Sequence, residues 1–488
     1  MATTKNLAFA SIRELRELLL KKEITAAELI DLSCARIKKY DEKIGAVLET
    51  FDRNSLTPAA TASTESPLAG IPGMVKDVIC QKGRITSCAS KILEHFVSPY
   101  DATAVERLKQ AGAISIGRTN CDEFAMGSSN ETSAYKLCYN PWDLTRTPGG
   151  SGGGSAASVA SGMVPWALGT ETGGSVRLPA AFCGVVGSKP TYGLVPRWGL
   201  VAYGSSLDVI GVNTRTVYDN ALVLGQIAGA DGRDGTMRQQ KGPFDYVSQL
   251  TGKIRPGLKI GILKNAVYAD GIEPGVARLL ADALKAFERL GAQLVEVAVP
   301  SMDYGAAAYY MISRAEAASN LSRFDGVRYG HRAAHPESLR ELYERSRAEG
   351  FGREIKRRIL LGNFVLSAGH ADQYYVSACK VRSMMRAEFL ARLEEVDLLF
   401  APVSPILPFK VGALSNDPLA MDLMDYLTCP INLAKIPAVS VPCGFVDGLP
   451  VGFQLIGKDF SEALIYQTAH AYEQAHDWHT KHPDWVLE

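Results

Sequence analysis

Two serines sit inside glycine-dense turns near the middle of the chain, Ser151 in GGSGGG and Ser175 in TGGSV, 24 residues apart. Between Gly149 and Ser175, nine of 27 residues are glycine, one third against a usual ~7%. Glycine at that density lets the backbone take positive φ or approach another group closely. Three chemistries compete for such a stretch. A phosphate cradle would use the N–H groups of a loop opening a helix, but no G-K-[ST] follows and no first strand leads into it. Tight turns and close helix packing need no ligand at all. The third is an oxyanion hole of bare N–H groups around an attacking serine.

A serine attacks a carbonyl only with a base beside it. Histidine is the usual base, yet none occurs between His95 and His331. Lys76 offers an alternative: it lies in GIPGMVKDVIC, flanked by Met74, Val75, Val78 and Ile79. Burial disfavours an ammonium and makes the neutral amine available near pH 7. Taken alone, Lys76 reads as a snorkelling or salt-bridged side chain, with Asp77 as the partner at hand, rather than as a base; with Ser151 and Ser175 it completes a hydrolytic set.

At this point the chain resembles the amidase signature family. The motifs are GIPGMVKD, PGGSGGGSAAS and GTETGGSVRLPAAFCGVVGSKPTYG in that order, followed by PAVSVPCG and LPVGFQLIG. The resemblance implies a Ser-cisSer-Lys triad, with Ser175 as nucleophile, Ser151 as relay and Lys76 as base. It also implies an oxyanion hole from the backbone of Thr172, Gly173, Gly174 and Ser175, and an α/β/α fold around a central mixed sheet. Three positions depart from the family pattern: Gly152 stands where a second serine is usual, Glu171 replaces an aspartate, and Ser188 takes the place of an apolar residue.

Within the family, CDEFAMGSSNETS, RFDGVRYGHR, FGREIKRRILLGNFVLS and MDLMDYLTCPINLAKIPAVSVPCG are similar to the glutaminase subunits of tRNA-dependent amidotransferases. That similarity implies free glutamine as substrate, with its α-carboxylate on Arg358 and its α-amino group on Asp425, and Met126, Gly127 and Ser128 beside it. Arg357 is the adjacent alternative for the carboxylate. Without the resemblance, Arg358 reads as part of a solvated helix face and Asp425 as a helix cap. The similarity further implies a heterotrimer with subunits B and C, misacylated tRNA held through the partner, and ATP and Mg²⁺ at the partner subunit rather than a cofactor on this chain.

The composition agrees with that division of labour. The 488 residues carry 52 Lys plus Arg and 52 Asp plus Glu, a net charge of zero. Such a balance excludes a general polybasic grip on nucleic acid or anionic lipid. Hydrophobic residues at 47% and charged residues at 21% describe a globular protein. No apolar run approaches the ~18 residues of a membrane span, and the first residues read as neither signal nor transit peptide, so the cytoplasm is the expected location. Nine cysteines, none in C-x-x-C, read as free thiols, and no Cys/His cluster has zinc spacing. His476, His479 and His482 read as a frayed polar tail.

The elements that must position these groups follow an α/β rhythm. Two amphipathic helices are expected over residues 11–48, opening at Ser11 and at Thr25. The polar stretch Leu56–Pro67 reads as a linker, dividing an N-terminal helical segment (1–65) from an amidase domain (66–488). Beyond it, 101–112 and 273–291 read as helices, and 113–117, 258–264, 292–298, 396–401 and 439–441 as strands. A packed helix is expected to begin after Gly154.

Overall fold

The computed structural model describes residues 7–56, 66–238, 240 and 242–487. Eleven strands make one mixed sheet: β1 (Val47–Thr50), β2 (Pro72–Lys76), β3 (Ile114–Thr119), β4 (Trp166–Glu171), β5 (Val186–Lys189), β6 (Val209–Thr214), β7 (Lys259–Leu263), β8 (Gln293–Val297), β9 (Leu398–Pro402), β10 (Ala438–Val446) and β11 (Leu449–Ile456). Their order is β1-β3-β2-β4-β6-β5-β10-β11-β9-β7-β8. β2 runs parallel to β3 and β4, and β7 runs parallel to β8 and β9; the remaining pairs are antiparallel.

The inner strands β2, β4, β5, β6, β9 and β11 are buried on both faces and so show no apolar/polar alternation, whereas the edge strands β1 and β8 are partly exposed. In β9, Leu398 and Phe400 join one core cluster while Leu399 and Ala401 join another, as the two-residue period of a strand requires. The first cluster also takes in Val105, Leu108, Leu280 and Phe287 from helices Thr103–Gln110 and Pro274–Arg289. On the opposite face, helices Gly305–Asn320 and Ser377–Glu395 cover one half of the sheet, and Gly153–Ala160 with Arg177–Cys183 the other. The result is the three-layer α/β/α arrangement expected.

The N-terminal helices are Ile12–Leu20 and Ala26–Ile44, each opened by a full capping box, Ser11 with Glu14 and Thr25 with Glu28. The second stops earlier than its apolar pattern suggests. Gly45 takes φ 70° and ends it, and Val47 begins β1, which pairs with β3 at the sheet edge. The linker reading over Leu56–Pro67 falls largely on residues 57–65, outside the described residues.

The C-terminal tail differs from expectation. It is packed, not frayed: Trp485 Nε1 donates to Pro141 O at 2.8 Å, the His482 ring lies 4.7 Å from that of Phe9, and His476 stacks on Tyr472 at 4.2 Å. Aromatic bodies on a polar tail supply enough apolar surface to hold it down. All nine cysteines are free thiols.

Candidate active site

β2 and β4 are parallel neighbours, with Val75 opposite Leu168, so their C-terminal ends emerge at the same edge of the sheet. Ligands of α/β sheets gather at such ends. Here Lys76 closes β2, and Glu171 closes β4 and leads directly into Thr172–Ser175.

The Lys76 side chain is completely buried. Its Nζ donates to Ser151 Oγ at 2.8 Å and to Thr170 O at 3.3 Å. Burial draws the ammonium below its ordinary 10.5, against the weaker pull of Cys121, Asp122, Asp208 and Glu171. Asp77 does not pair with it: that carboxylate accepts from Arg118 Nη1 at 2.7 Å and turns away.

Ser151, also fully buried, follows a cis Gly150–Ser151 peptide bond, and its carbonyl accepts from Asp122 N at 3.1 Å. The Asp122 carboxylate in turn accepts from Asn130 N at 2.8 Å and from Thr132 Oγ1 at 2.9 Å, folding residues 122–132 against the glycine-rich turn. Gly152 N donates to Ser175 O at 3.1 Å, tying the two serine turns together, and a Cβ on Gly152 would stand 2.6 Å from that oxygen. Ser175 is the most accessible of the three, at 6% exposure. No hydrogen bond joins its hydroxyl to that of Ser151 among the described residues.

The turn carrying Ser175 is clamped from below. Glu171 Oε2 accepts from the N–H groups of Val176 and Arg177 at 3.1 and 3.0 Å, and Arg177 Nε donates to Glu171 Oε1 at 2.8 Å. Arg177 Nη2 also donates to Thr428 O at 3.0 Å. Although burial pushes the other way, the Arg177 charge and hydrogen bonds hold Glu171 below its ordinary 4.5. The longer glutamate thus still caps the start of helix Arg177–Cys183.

The N–H groups of Gly173, Gly174 and Ser175 donate to no protein acceptor among the described residues. Both glycines are required by close neighbours. A Cβ on Gly173 would come 2.6 Å from the Tyr309 hydroxyl, and one on Gly174 would come 2.9 Å from Asp425 Oδ1. Thr172 is fixed through Oγ1, which donates to Asp208 Oδ1 at 2.7 Å; burial pushes Asp208 up to about 6.

Asp425 is buried, accepts from Ser128 Oγ at 3.1 Å through Oδ2, and leaves Oδ1 without a protein partner. Burial pushes its carboxyl up to about 7, against the Ser128 hydrogen bond and the charge of Arg358. Ser128 and Gly127 line a cavity of about 340 Å³ shared with Glu354, Arg357 and Arg358. The two arginines separate by burial: the Arg358 side chain is 5% exposed and that of Arg357 31%. Arg358 Nη1 donates to the Tyr203 hydroxyl at 2.8 Å and Nε to Glu354 Oε1 at 2.6 Å. Burial opposes it, yet the two arginines draw Glu354 down to about 2. Met126 is fully buried in the main apolar core.

Sequence reasoning missed Asp122, Tyr203, Tyr309 and Glu354. Asp122 lies inside the segment CDEFAMGSSNETS and was findable there. Tyr309, one of two adjacent tyrosines in a helix of mixed composition, carries no signal of its own.

This pairing of a buried lysine with two serine turns at the sheet edge is accompanied by a match of the family model described as Amidase over residues 28–466, and the chain belongs to that family. The A-subunit of the glutamyl-tRNA(Gln) amidotransferase of Geobacillus kaustophilus (strain HTA426) is 51% identical over 480 residues, covering 97% of this chain and 98% of the relative. Its counterpart from Listeria monocytogenes serovar 1/2a (strain ATCC BAA-679 / EGD-e) is 49% identical over 480 residues, covering 97% and 99%. Among solved structures, the glutamyl-tRNA(Gln) amidotransferase A-subunit from Thermotoga maritima superposes with a TM-score of 0.82 at 40% identity, covering 98% of this chain and 96% of that one. The native peptide amidase from Stenotrophomonas maltophilia gives 0.81 at 29% identity, with 97% of each chain covered.

Proposed function

We propose that this chain is the glutamine-hydrolysing subunit of a tRNA-dependent amidotransferase, releasing ammonia for conversion of Glu on tRNA(Gln), or Asp on tRNA(Asn), to the amide. The observation that carries the reading is the 2.8 Å contact of a solvent-free Lys76 Nζ with Ser151 Oγ, beside the turn that holds Ser175. The near-full-length similarity to amidotransferase A-subunits supports the choice of substrate.

Neutral Lys76 takes the Ser151 proton while Ser151 takes that of Ser175, and Ser175 Oγ attacks the side-chain amide carbon of glutamine. The oxygen of the tetrahedral adduct receives the N–H groups of Gly173, Gly174 and Ser175; one such donor is typically worth ~10²–10³ in rate. The relay returns a proton to the departing nitrogen, and ammonia leaves. Water then hydrolyses the glutamyl ester on Ser175. Arg358 presents a planar fork to the α-carboxylate and Asp425 a free oxygen to the α-ammonium.

The zero net charge supports placing tRNA recognition on a partner subunit; ATP and Mg²⁺ are assigned with it to partner subunits B and C of a cytoplasmic complex. Ammonia release by the isolated chain and by the native complex, from glutamine and from benzamide or acetamide, tests the proposal. Preference for glutamine together with co-purification of two further subunits is expected. A faster rate on benzamide would replace this reading by a free-standing amidase, and failure of a serine-reactive amide analogue to label the chain would replace it by a silent scaffold.

A further inference from the structure

A second cavity, of about 650 Å³, opens at the other end of the sheet. Its walls come from the starts of helices Ile12–Leu20 and Val217–Ile227 and from helix Glu462–Gln474 with the tail beyond it. β6 runs antiparallel to β4, with Thr214 opposite Trp166 and Val209 opposite Glu171. Arg215, just past β6, therefore lies about 17 Å, one strand length, from the edge that carries Ser175.

Polar atoms without protein partners concentrate around this cavity. Arg215 is 5% exposed; its Nη2 donates to Ala10 O at 2.5 Å, and its Nη1 has no partner. Asp219 attracts it through space, but neither a hydrogen bond nor an ion pair joins them among the described residues, and burial draws the guanidinium down to about 10. The buried Nδ1 atoms of His470, His479 and His482 also lack hydrogen-bond partners, that of His470 standing 3.5 Å from a Glu473 oxygen.

The carboxylates nearby are already engaged by helix starts. Glu14 Oε2 accepts from Ser11 N at 2.7 Å, Asp219 Oδ2 from Ile12 N at 3.0 Å, and Glu473 Oε1 from Val217 N at 2.7 Å. Asp219 Oδ1 is unpartnered as well. The walls thus hold a buried guanidinium with a free nitrogen, a second guanidinium on the exposed Arg13, whose Nε pairs with Glu17 at 3.5 Å, and three imidazoles. The Ala10 carbonyl serves only Nη2 of Arg215, and a buried polar group such as its Nη1 is nearly always paired. The volume falls within the range of small-molecule sites.

We propose that this cavity binds a small polyanion, of phosphate or polycarboxylate chemistry, through Arg215 and Arg13, with His470, His479 and His482 as hydrogen-bond donors. The site is separate from glutamine hydrolysis and does not rest on that assignment. Isothermal titration of the whole chain with pyrophosphate and with citrate tests it; the two probes distinguish a phosphate from a carboxylate ligand. One of them is expected to bind once per chain with a submillimolar Kd. Arg215→Gln should weaken that binding at least ~10-fold, and the double variant His479→Ala with His482→Ala several-fold. Both variants should keep wild-type glutaminase activity, which certifies their fold; if Arg215→Gln fails to fold, the tail variant decides. Binding of neither probe at about 10 mM, or wild-type affinity in every folded variant, would overturn the proposal.

Discussion

Asp425→Asn separates two effects that one carboxylate combines. Asp425 is 6% exposed, keeps Oδ2 on Ser128 and leaves Oδ1 without a protein partner. Burial raises its pKa from the ordinary 3.8 to about 7. A carboxyl that titrates higher when folded binds more protons in the native state between those two values, so the fold loses stability as pH rises from about 4 to about 7 and does not recover it above. At about 1.4 kcal/mol per pKa unit, the loss at pH 8 reaches up to about 4 kcal/mol. Asparagine preserves the shape and the Ser128 contact and has no proton to lose. The ligand-free variant should therefore match the wild type near pH 4 and exceed its stability at pH 8 by roughly 1–4 kcal/mol.

Catalysis should move the opposite way. A hydrogen bond to a charged group is worth about 1.5–3 kcal/mol, so kcat/KM for glutamine should fall roughly 10- to 150-fold. Glutaramate, which has the same side-chain amide and carboxylate but no α-amino group, should be hydrolysed equally by both proteins. Urea unfolding at the two pH values and ammonia release from the two substrates make the measurement. A variant less stable than the wild type at pH 8, or one that hydrolyses glutamine within about 2-fold of it, refutes the reasoning.

Lys76→Ala should retain less than about a tenth of the glutaminase rate, and the wild-type rate should fall on the acid side as pH drops through the lowered Lys76 pKa; a steady-state pH series on both proteins checks this. Arg177→Met leaves the buried Glu171 carboxylate unpaired and should lower unfolding stability by about 3–5 kcal/mol in urea. Glu123 accepts from Gly352 N at 3.0 Å at the start of the helix that carries Arg358. Glu123→Ala should raise KM for glutamine about 5-fold at nearly constant kcat, as loss of ~1 kcal/mol of capping predicts; a drop in kcat alone would count against it.

Much of the site was legible because its chemistry is local. Ser151, Ser175 and the intervening glycines form one contiguous signal, and Lys76 stands out as a cation inside an apolar strand. The βα rhythm was legible wherever amphipathic helices carried it: Pro274–Arg289 and the strands on either side lie within two residues of expectation. The strands β4, β5, β6 and β11 were not read as strands. They are buried on both faces, so they lack alternation, and glycines such as Gly169 and Gly211 interrupt them. The sequence does not distinguish Arg357 from Arg358; which of the two faces inward depends on packing, and it is Arg358 that is buried and donates to Tyr203. The clamp of Arg177 on Glu171, Gln454, Thr428 and Asn432 joins residues up to 277 positions apart, beyond any local pattern.

The central claim is that Ser175 carries the glutamyl group, activated through Ser151 by an uncharged Lys76. Rapid acid quench of the enzyme during glutamine turnover, followed by proteolysis and mass mapping of the acylated residue, tests it most directly. The account predicts a glutamyl ester on Ser175 that is absent from Lys76→Ala mixed for the same time. An ester on Ser151, an adduct on a cysteine, or undiminished acylation in the lysine variant would contradict it.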